Sequence, residues 1–191
     1  MIFLTKAIHR VFLVDFFTDA ERIQNRVTLT LCNFLNRNGI LTTCLYPTSA
    51  AELLVALDNI QHQELGEGVI IQFIGHGDPT GNYFGNNQFL LRWEDIRPSL
   101  IAINQISNDG LIVNSTIMCY GENIFRIIVE GPKPFFAAIG SKTELGAQAL
   151  DHNIHLYGRC FKRDLVKYTL GTINDAIEYS QDREGYELRI V

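Results

Sequence analysis

The sequence predicts an α/β protein, a three-layer sandwich with a mainly parallel central sheet, formed by one domain over residues 1–191. Three observations lead to this prediction. Apolar runs alternate with amphipathic stretches almost throughout, as in parallel strands joined by helical crossovers. The apolar runs are continuous, which is typical of strands buried on both faces. A length of 191 residues suffices for one good core and is short for two domains.

The first half of the chain predicts three strands and two helices. The strands cover residues 11–17, 40–46 and 68–75. A helix is expected from about Asp19 to Asn38, and Asn38-Gly39 predicts its left-handed end. Ser49 and Glu52 predict a capping box at the start of a second helix, which runs to about Gln61.

The second half predicts a long loop followed by further strands and helices. The loop, residues 76–87, is rich in Gly and Asn, and long loops after buried strands often carry function. Strands are expected at residues 88–93, 111–118, 133–140 and 185–191. Helices are expected at residues 94–106, 122–130, 144–151, 153–169 and 172–180.

Composition excludes several classes of function. A net charge of −5 without a Lys/Arg cluster argues against a nucleic-acid surface, and no Gly-rich phosphate loop follows the first strand. No apolar stretch approaches the ~20 residues of a membrane span. The N-terminus has no signal-peptide pattern. The four cysteines are scattered, which predicts neither a disulfide framework nor a metal or cofactor site and favours a reducing cytoplasm.

Two residues at the ends of predicted buried strands carry the functional hypothesis. His76 ends the run VIIQFIGH and Cys119 ends LIVNSTIMC. In an open α/β sheet, strand ends are where chemistry is presented. A thiol at a strand-to-helix junction has a lowered pKa, and a neighbouring histidine acts as its base. Gly77 would let its N–H join that of Cys119 in holding an oxyanion. The alternative is that Cys119 is simply a buried core residue.

These two motifs, in this order and context, resemble the catalytic elements of caspase-like cysteine peptidases. The similarity is closest to short prokaryotic caspase-like and CHAT-type domains. QFLLRWEDIRPSLIAI (88–103) is similar to the segment that such domains carry between their histidine and cysteine strands, and residues 135–180 resemble their C-terminal part. The resemblance runs from about Val11 to Ser180.

The resemblance implies a cysteine endopeptidase with His76 as base, Cys119 as nucleophile, and the amides of Gly77 and Cys119 as the oxyanion hole. It departs from the family around the nucleophile, where no acid precedes Cys119 and the neighbours, Met118 and Tyr120, are bulky. The alternative function is therefore an inactive caspase-like domain that serves as a protein-interaction module. The expected ligand is a protein or peptide substrate, and activity is expected either without processing or under a regulatory partner protein.

Primary specificity is predicted from charge. The loop at residues 141–144 lies where caspase-like enzymes commonly shape the primary pocket. Lys142 facing inward would favour an acidic substrate residue, whereas Glu144 would favour Arg or Lys. Asp15 and Asp78 are further acids at strand ends that would face the same pocket. Three acids against one lysine favour a basic residue at the cleavage position. The alternative is that Glu144 only begins a helix.

Overall fold

A computed structural model of the protein describes residues 10–66, 68–86, 88–144, 149–161 and 185–191. Their central feature is one eight-stranded sheet. Six strands form its main path, in the order β2-β1-β3-β6-β7-β8. These strands are β1 (Arg10–Asp15), β2 (Leu41–Leu45), β3 (Val69–Gly77), β6 (Leu111–Met118), β7 (Ala137–Ser141) and β8 (Tyr186–Ile190). All neighbouring pairs are parallel except β7–β8, which is antiparallel.

Helices cover both faces of this sheet, so the predicted α/β three-layer architecture is confirmed. They are α1 (Asp19–Asn25), α2 (Val27–Arg37), α3 (Ala50–Gln61), α4 (Trp93–Ile106) and α5 (Ala149–His155). A 3₁₀ helix spans Gly121–Ile127, and a π-helical turn, Leu156–Phe161, follows α5. Successive strand residues point to opposite faces, and β1 shows the result, since Phe12 packs in one apolar core and Leu13 in the other. The first core includes residues of α3 and α4, and the second includes residues of α2.

The loop predicted at residues 76–87 contains a small antiparallel extension of the sheet. Strand β3 runs on through His76 and Gly77, which pair with Gly85 and Phe84 of β4 (Phe84–Asn86). Strand β4 in turn pairs with β5 (Phe89–Leu91). His76 therefore belongs to a hydrogen-bonded strand, which fixes its backbone more firmly than a loop would.

The single helix predicted from Asp19 to Asn38 is wrong, because the chain forms two helices. Arg26, between them, has a left-handed backbone with φ 51°, and its N–H bonds the carbonyl of Arg22 at 3.0 Å to close α1. Helix α1 has no buried residue, and its largest apolar side chain, Ile23, is exposed. The predicted left-handed end at Gly39 is confirmed, with φ 79°.

Three other predicted boundaries differ from the structure. The helix expected at 122–130 is the 3₁₀ helix Gly121–Ile127. The strand expected at 133–140 begins only at Ala137, after Pro134, a residue without an N–H to donate. The two helices expected within 144–169 correspond, among described residues, to α5 and the π-helical turn. The helix predicted at 172–180 lies outside the described residues.

Candidate active site

The sheet brings the two candidate catalytic residues together. Strands β3 and β6 are parallel neighbours, and Gly75 is in register with Met118. His76 is the next residue of β3, and Cys119 directly follows β6, so the two residues lie side by side at the same edge of the sheet. The side chain of Cys119 acts on the imidazole of His76 and is the largest influence on the pKa of that histidine. Both side chains are partly exposed, so the pair is open to a ligand from solvent.

The imidazole of His76 has a second polar contact, with a carboxylate. Its Nε2 lies 2.7 Å from Oε1 of Glu21. The ring of Phe17 packs edge-on against the imidazole, with centroids 5.4 Å apart. The hydrogen bond with Cys119 raises the pKa of His76 to about 9; partial burial opposes this, and the contact with Glu21 adds to it. At neutral pH the ring is therefore an imidazolium, and a neighbouring thiolate is the sulfur species that it favours.

Glu21 was missed by the sequence interpretation. It is the third residue of α1, and Thr18 is the N-cap. Its second oxygen, Oε2, accepts hydrogen bonds from the Thr18 backbone N–H at 2.8 Å and from Thr18 Oγ1 at 2.7 Å. Burial opposes ionisation of this carboxyl, but the hydrogen bonds from His76 and Thr18 outweigh it and lower the pKa of Glu21. The sequence signal was the T-x-x-E capping pattern directly after the first strand.

The turn after Cys119 is held rigidly by the neighbouring strands. Tyr120 has a left-handed backbone, φ 52°. Its N–H bonds the carbonyl of Thr143 at 3.1 Å, and the N–H of Gly121 bonds Ser141 Oγ at 3.1 Å. Ser115 Oγ donates to the carbonyl of Gly121 at 2.8 Å. These hydrogen bonds fix the backbone of the turn and so the position of the Cys119 Cα atom, from which the thiol side chain extends.

That network also corrects the expected origin of thiolate stabilisation. The sequence predicted a helix start whose free N–H groups would stabilise an anion at Cys119. The structure has a short 3₁₀ helix instead, and the N–H groups of Tyr120 and Gly121 already bond Thr143 and Ser141. The imidazolium of His76 is therefore the main stabilising charge beside the sulfur.

Gly77 lies against the backbone of Cys119. A Cβ at Gly77 would stand 1.8 Å from the carbonyl oxygen of Cys119, so only glycine fits. Hydrogen-bonded and non-hydrogen-bonded pairs alternate along antiparallel strands. Because the N–H of Asp78 bonds the carbonyl of Tyr83 at 3.0 Å, the adjacent pair Gly77–Phe84 is the non-hydrogen-bonded kind. The N–H of Gly77 therefore points away from β4, towards the side on which Cys119 lies.

The predicted substrate-binding role of Asp15 is not compatible with its position. Its side chain is 1 % exposed. One carboxylate oxygen accepts from Thr28 Oγ1 at 2.6 Å and the other from the N–H of Phe17 at 2.8 Å. Burial raises the pKa of Asp15 although both hydrogen bonds act in the opposite direction. Asp15 joins β1 to α2 and cannot face a substrate without leaving the core.

The other two predicted substrate-binding acids lie near the surface. Asp78 follows Gly77, and its carboxylate accepts hydrogen bonds from the N–H and hydroxyl of Thr80, contacts that lower its pKa. Glu144 is exposed and follows Thr143, whose carbonyl bonds the residue after Cys119. Lys142 Nζ lies 3.7 Å from Glu187 Oε2 on β8, so its charge is partly matched.

Comparisons and searches add few constraints. No protein-family model and no curated protein matches the sequence. Within the described residues, no group of three or more His, Cys, Asp or Glu side chains is arranged to hold a metal ion. No helix in the same part of the chain is long and apolar enough to cross a membrane. The geometry around His76 and Cys119 is therefore the main indication of function.

Proposed function

We propose that the protein is a cysteine endopeptidase of the caspase-like type, acting on a protein or peptide substrate. The observation that carries this proposal is that His76 and Cys119 lie side by side at adjacent ends of two parallel strands, where the thiol group acts on the imidazole. A thiol beside a partly exposed imidazolium has the two parts that nucleophilic catalysis by cysteine needs. The raised pKa of His76, about 9, favours a thiolate–imidazolium pair at neutral pH.

In the proposed reaction the Cys119 thiolate attacks the carbonyl carbon of the scissile peptide bond. The carbon–nitrogen bond then breaks, and His76 gives its proton to the leaving amine. This leaves a thioester on Cys119 and a neutral imidazole. His76 next takes a proton from water, whose oxygen attacks the thioester. The acid product departs and the thiolate–imidazolium pair is restored.

The tetrahedral intermediates of this reaction carry a negative oxygen that needs donors. The N–H of Gly77 is the proposed donor, together with that of Cys119. Two observations support Gly77 as a donor: it contacts the Cys119 backbone, and its N–H points away from β4. Removing one such donor in other enzymes costs about 10²- to 10³-fold in kcat.

The bulky neighbours of Cys119, Met118 and Tyr120, were the sequence features that favoured an inactive interaction module. Their positions in the structure give that alternative less support. Met118 is fully buried and belongs to the core beneath α3 and α4, so it does not cover the thiol. Tyr120 is partly exposed, and its backbone is held by Thr143. We retain the proposed setting of a cytoplasmic, prokaryotic enzyme of regulated proteolysis or defence, which the family resemblance suggested.

A peptide-library digest tests the proposed activity. Wild type and Cys119→Ala are incubated in parallel, and cleavage products are identified by mass spectrometry. We expect discrete cleavage by wild type and none by the variant. Cys32→Ala is the matched control, because Cys32 is a partly buried thiol that packs against the core on the α2 side of the sheet. Equal cleavage by wild type and Cys119→Ala would exclude the proposal.

A further inference from the structure

We propose that Glu21 is a positioning residue for His76, so that the site works as a Cys119–His76–Glu21 unit. This inference rests on the proposed peptidase function and extends it to a residue on a different element. It assigns to the helix α1, which contributes nothing to the core, a task at the candidate site.

The two carboxylate oxygens of Glu21 have different hydrogen-bonding partners. Oε1 contacts His76 Nε2 at 2.7 Å. Oε2 accepts from the backbone N–H and the hydroxyl of Thr18, at 2.8 and 2.7 Å. The carboxylate is therefore clamped to the N-cap while it contacts the imidazole. A side chain held at both ends loses little further freedom when it orients its partner.

Helix α1 also has to be held in place. No residue of α1 is buried, so apolar packing does not fix the helix. It is anchored instead by Phe17, the residue before the N-cap, which is buried and packs against the ring of His76, and by Arg22, whose guanidinium lies 5.1 Å from the centre of the Tyr46 ring. The segment that aligns Glu21 with the imidazole is thus the same segment that packs on the imidazole.

The contact with Glu21 also selects a ring nitrogen of His76. Each imidazolium nitrogen carries one hydrogen, and Nε2 directs its own to Glu21. Nδ1 is therefore the nitrogen whose hydrogen remains for another partner. A carboxylate that fixes which nitrogen faces the nucleophile keeps the ring in the productive orientation and stabilises its positive charge. Glu21 and Cys119 are the ionisable groups with the largest effects on His76.

The chain offers a matched control for Glu21. Glu52 stands at the same position near the start of α3, where its carboxylate accepts from the N–H and hydroxyl of Thr48 at 2.7 and 2.8 Å. Thr48 precedes the N-cap Ser49, so Glu52 closes its helix start one residue further out than Glu21 does, and no histidine is among its hydrogen-bonding partners in the described part of the chain. Glu52→Gln therefore reports the cost of weakening a helix start, and Glu21→Gln reports that cost together with the loss of charge beside His76.

The test is the titration of His76 followed by NMR in full-length wild type, Glu21→Gln and Glu52→Gln. We expect the His76 midpoint to fall by about one unit or more in Glu21→Gln, because an opposite charge in contact typically shifts a pKa by that much. Glu52→Gln should leave it unchanged. An unaltered His76 midpoint in Glu21→Gln would overturn the proposal. If Glu21→Gln does not fold, Thr18→Ala, which loosens the carboxylate but keeps its charge, should lower the midpoint by a smaller amount, and no change there would overturn it equally.

A kinetic arm separates this proposal from the proposed function. In an active enzyme, Glu21→Gln should lower kcat with little change in KM, since Glu21 touches His76 and not the substrate. The titration needs no substrate, so a shifted midpoint in a protein that cleaves no peptide would support the positioning role while excluding the peptidase. An unshifted His76 midpoint in a protein that does cleave peptides would support the peptidase and exclude the positioning role of Glu21.

Discussion

At the scale of single residues, His76 is the centre of the site because three different contacts meet on its ring. Cys119 and Glu21 supply hydrogen-bonding partners, and Phe17 covers one edge. Two of these contacts favour the charged ring, and they outweigh the partial burial that favours the neutral one. The net result is a histidine that stays protonated through the neutral range.

The raised pKa of His76 has a consequence for stability. A group whose pKa rises from 6.5 to about 9 on folding stabilises the folded state fully below pH 6.5. That contribution is lost as pH rises through 9. Because the folded thiolate–imidazolium pair holds one proton, as the unfolded thiol and imidazole together do up to about pH 8.5, we expect the difference in urea midpoint between wild type and His76→Ala to shrink as pH rises above 8.5 and through 9. A constant difference across this range would show that the histidine titrates normally.

Mutations at the two proposed catalytic positions, His76 and Cys119, should be strongly non-additive. His76→Ala should lower kcat/KM by about 10²- to 10⁴-fold, the usual contribution of general acid–base catalysis. Cys119→Ala removes the nucleophile, and the double variant should be no worse than Cys119→Ala alone. Peptide hydrolysis by the three variants and by Cys44→Ala, a control thiol on β2, measures this. If the loss of kcat/KM in the double variant equalled the product of the losses in the two single variants, His76 and Cys119 would not act in the same reaction step.

The residues of the site differed in how far the sequence could predict them. His76 and Cys119 stand out because each ends a long apolar run, and strand ends share an edge of a parallel sheet. Glu21 gives no comparable signal, since a glutamate in a capping box is normally explained by the helix alone. Asp15 was misjudged because a carboxyl after a strand was expected to face solvent, whereas Thr28 on α2 takes it into the interior.

At the scale of elements, the close approach of β3 to the turn after Cys119 is the feature that sets the site geometry. Gly77 contacts the Cys119 carbonyl, and Gly121 contacts the carbonyl of Ser115. Side chains at these points would force the elements apart. The 3₁₀ helix then leads away from the site and packs against α4 through its apolar residues.

Gly77→Ala tests this close approach. The new methyl group would overlap the Cys119 carbonyl, so we expect a loss of about 1–3 kcal/mol in unfolding free energy together with a loss of Cys119 reactivity. Urea denaturation and alkylation rates measure the two effects. Gly158→Ala is the control, because its Cβ would make only ordinary contact, 3.5 Å from Phe34. If Gly77→Ala had the unfolding free energy and the Cys119 alkylation rate of wild type, β3 would not lie in close contact with the turn after Cys119.

The loop after β7 leads to a prediction on specificity. Thr143 bonds the backbone of Tyr120, which places the loop beside Cys119. Of the predicted acids, Asp15 is buried, while Asp78 and Glu144 remain near the surface, and Lys142 is matched by Glu187. We expect faster turnover of peptides with Arg or Lys at the cleavage position than of matched Asp or Leu peptides, and a reduced preference in Glu144→Gln. Faster cleavage of the Asp or Leu peptide would show that these acids do not set the specificity.

At the scale of the whole molecule, alternating apolar and amphipathic segments were enough to predict the layers. Strand positions followed from continuous burial on both faces, as β6 shows with eight buried residues in succession. The break at Arg26 was not predictable in this way, because arginine has no preference for a left-handed backbone and the helical pattern continues across it. The 3₁₀ helix was equally hidden, since 3₁₀ and α-helical segments share the same apolar spacing over a single turn.

The most direct test of the central claim is the pH dependence of Cys119 alkylation. Iodoacetamide is added to wild type and to His76→Ala between pH 5 and 10, and the rate of modification at Cys119 is followed by peptide mass spectrometry, with Cys32 and Cys44 as internal references. We predict that Cys119 of wild type reacts rapidly well below pH 8.5, the usual pKa of a thiol, and that His76→Ala loses this low-pH reactivity. A Cys119 that reacts only above pH 8.5 in both proteins, like an ordinary thiol, would contradict a nucleophile activated by His76.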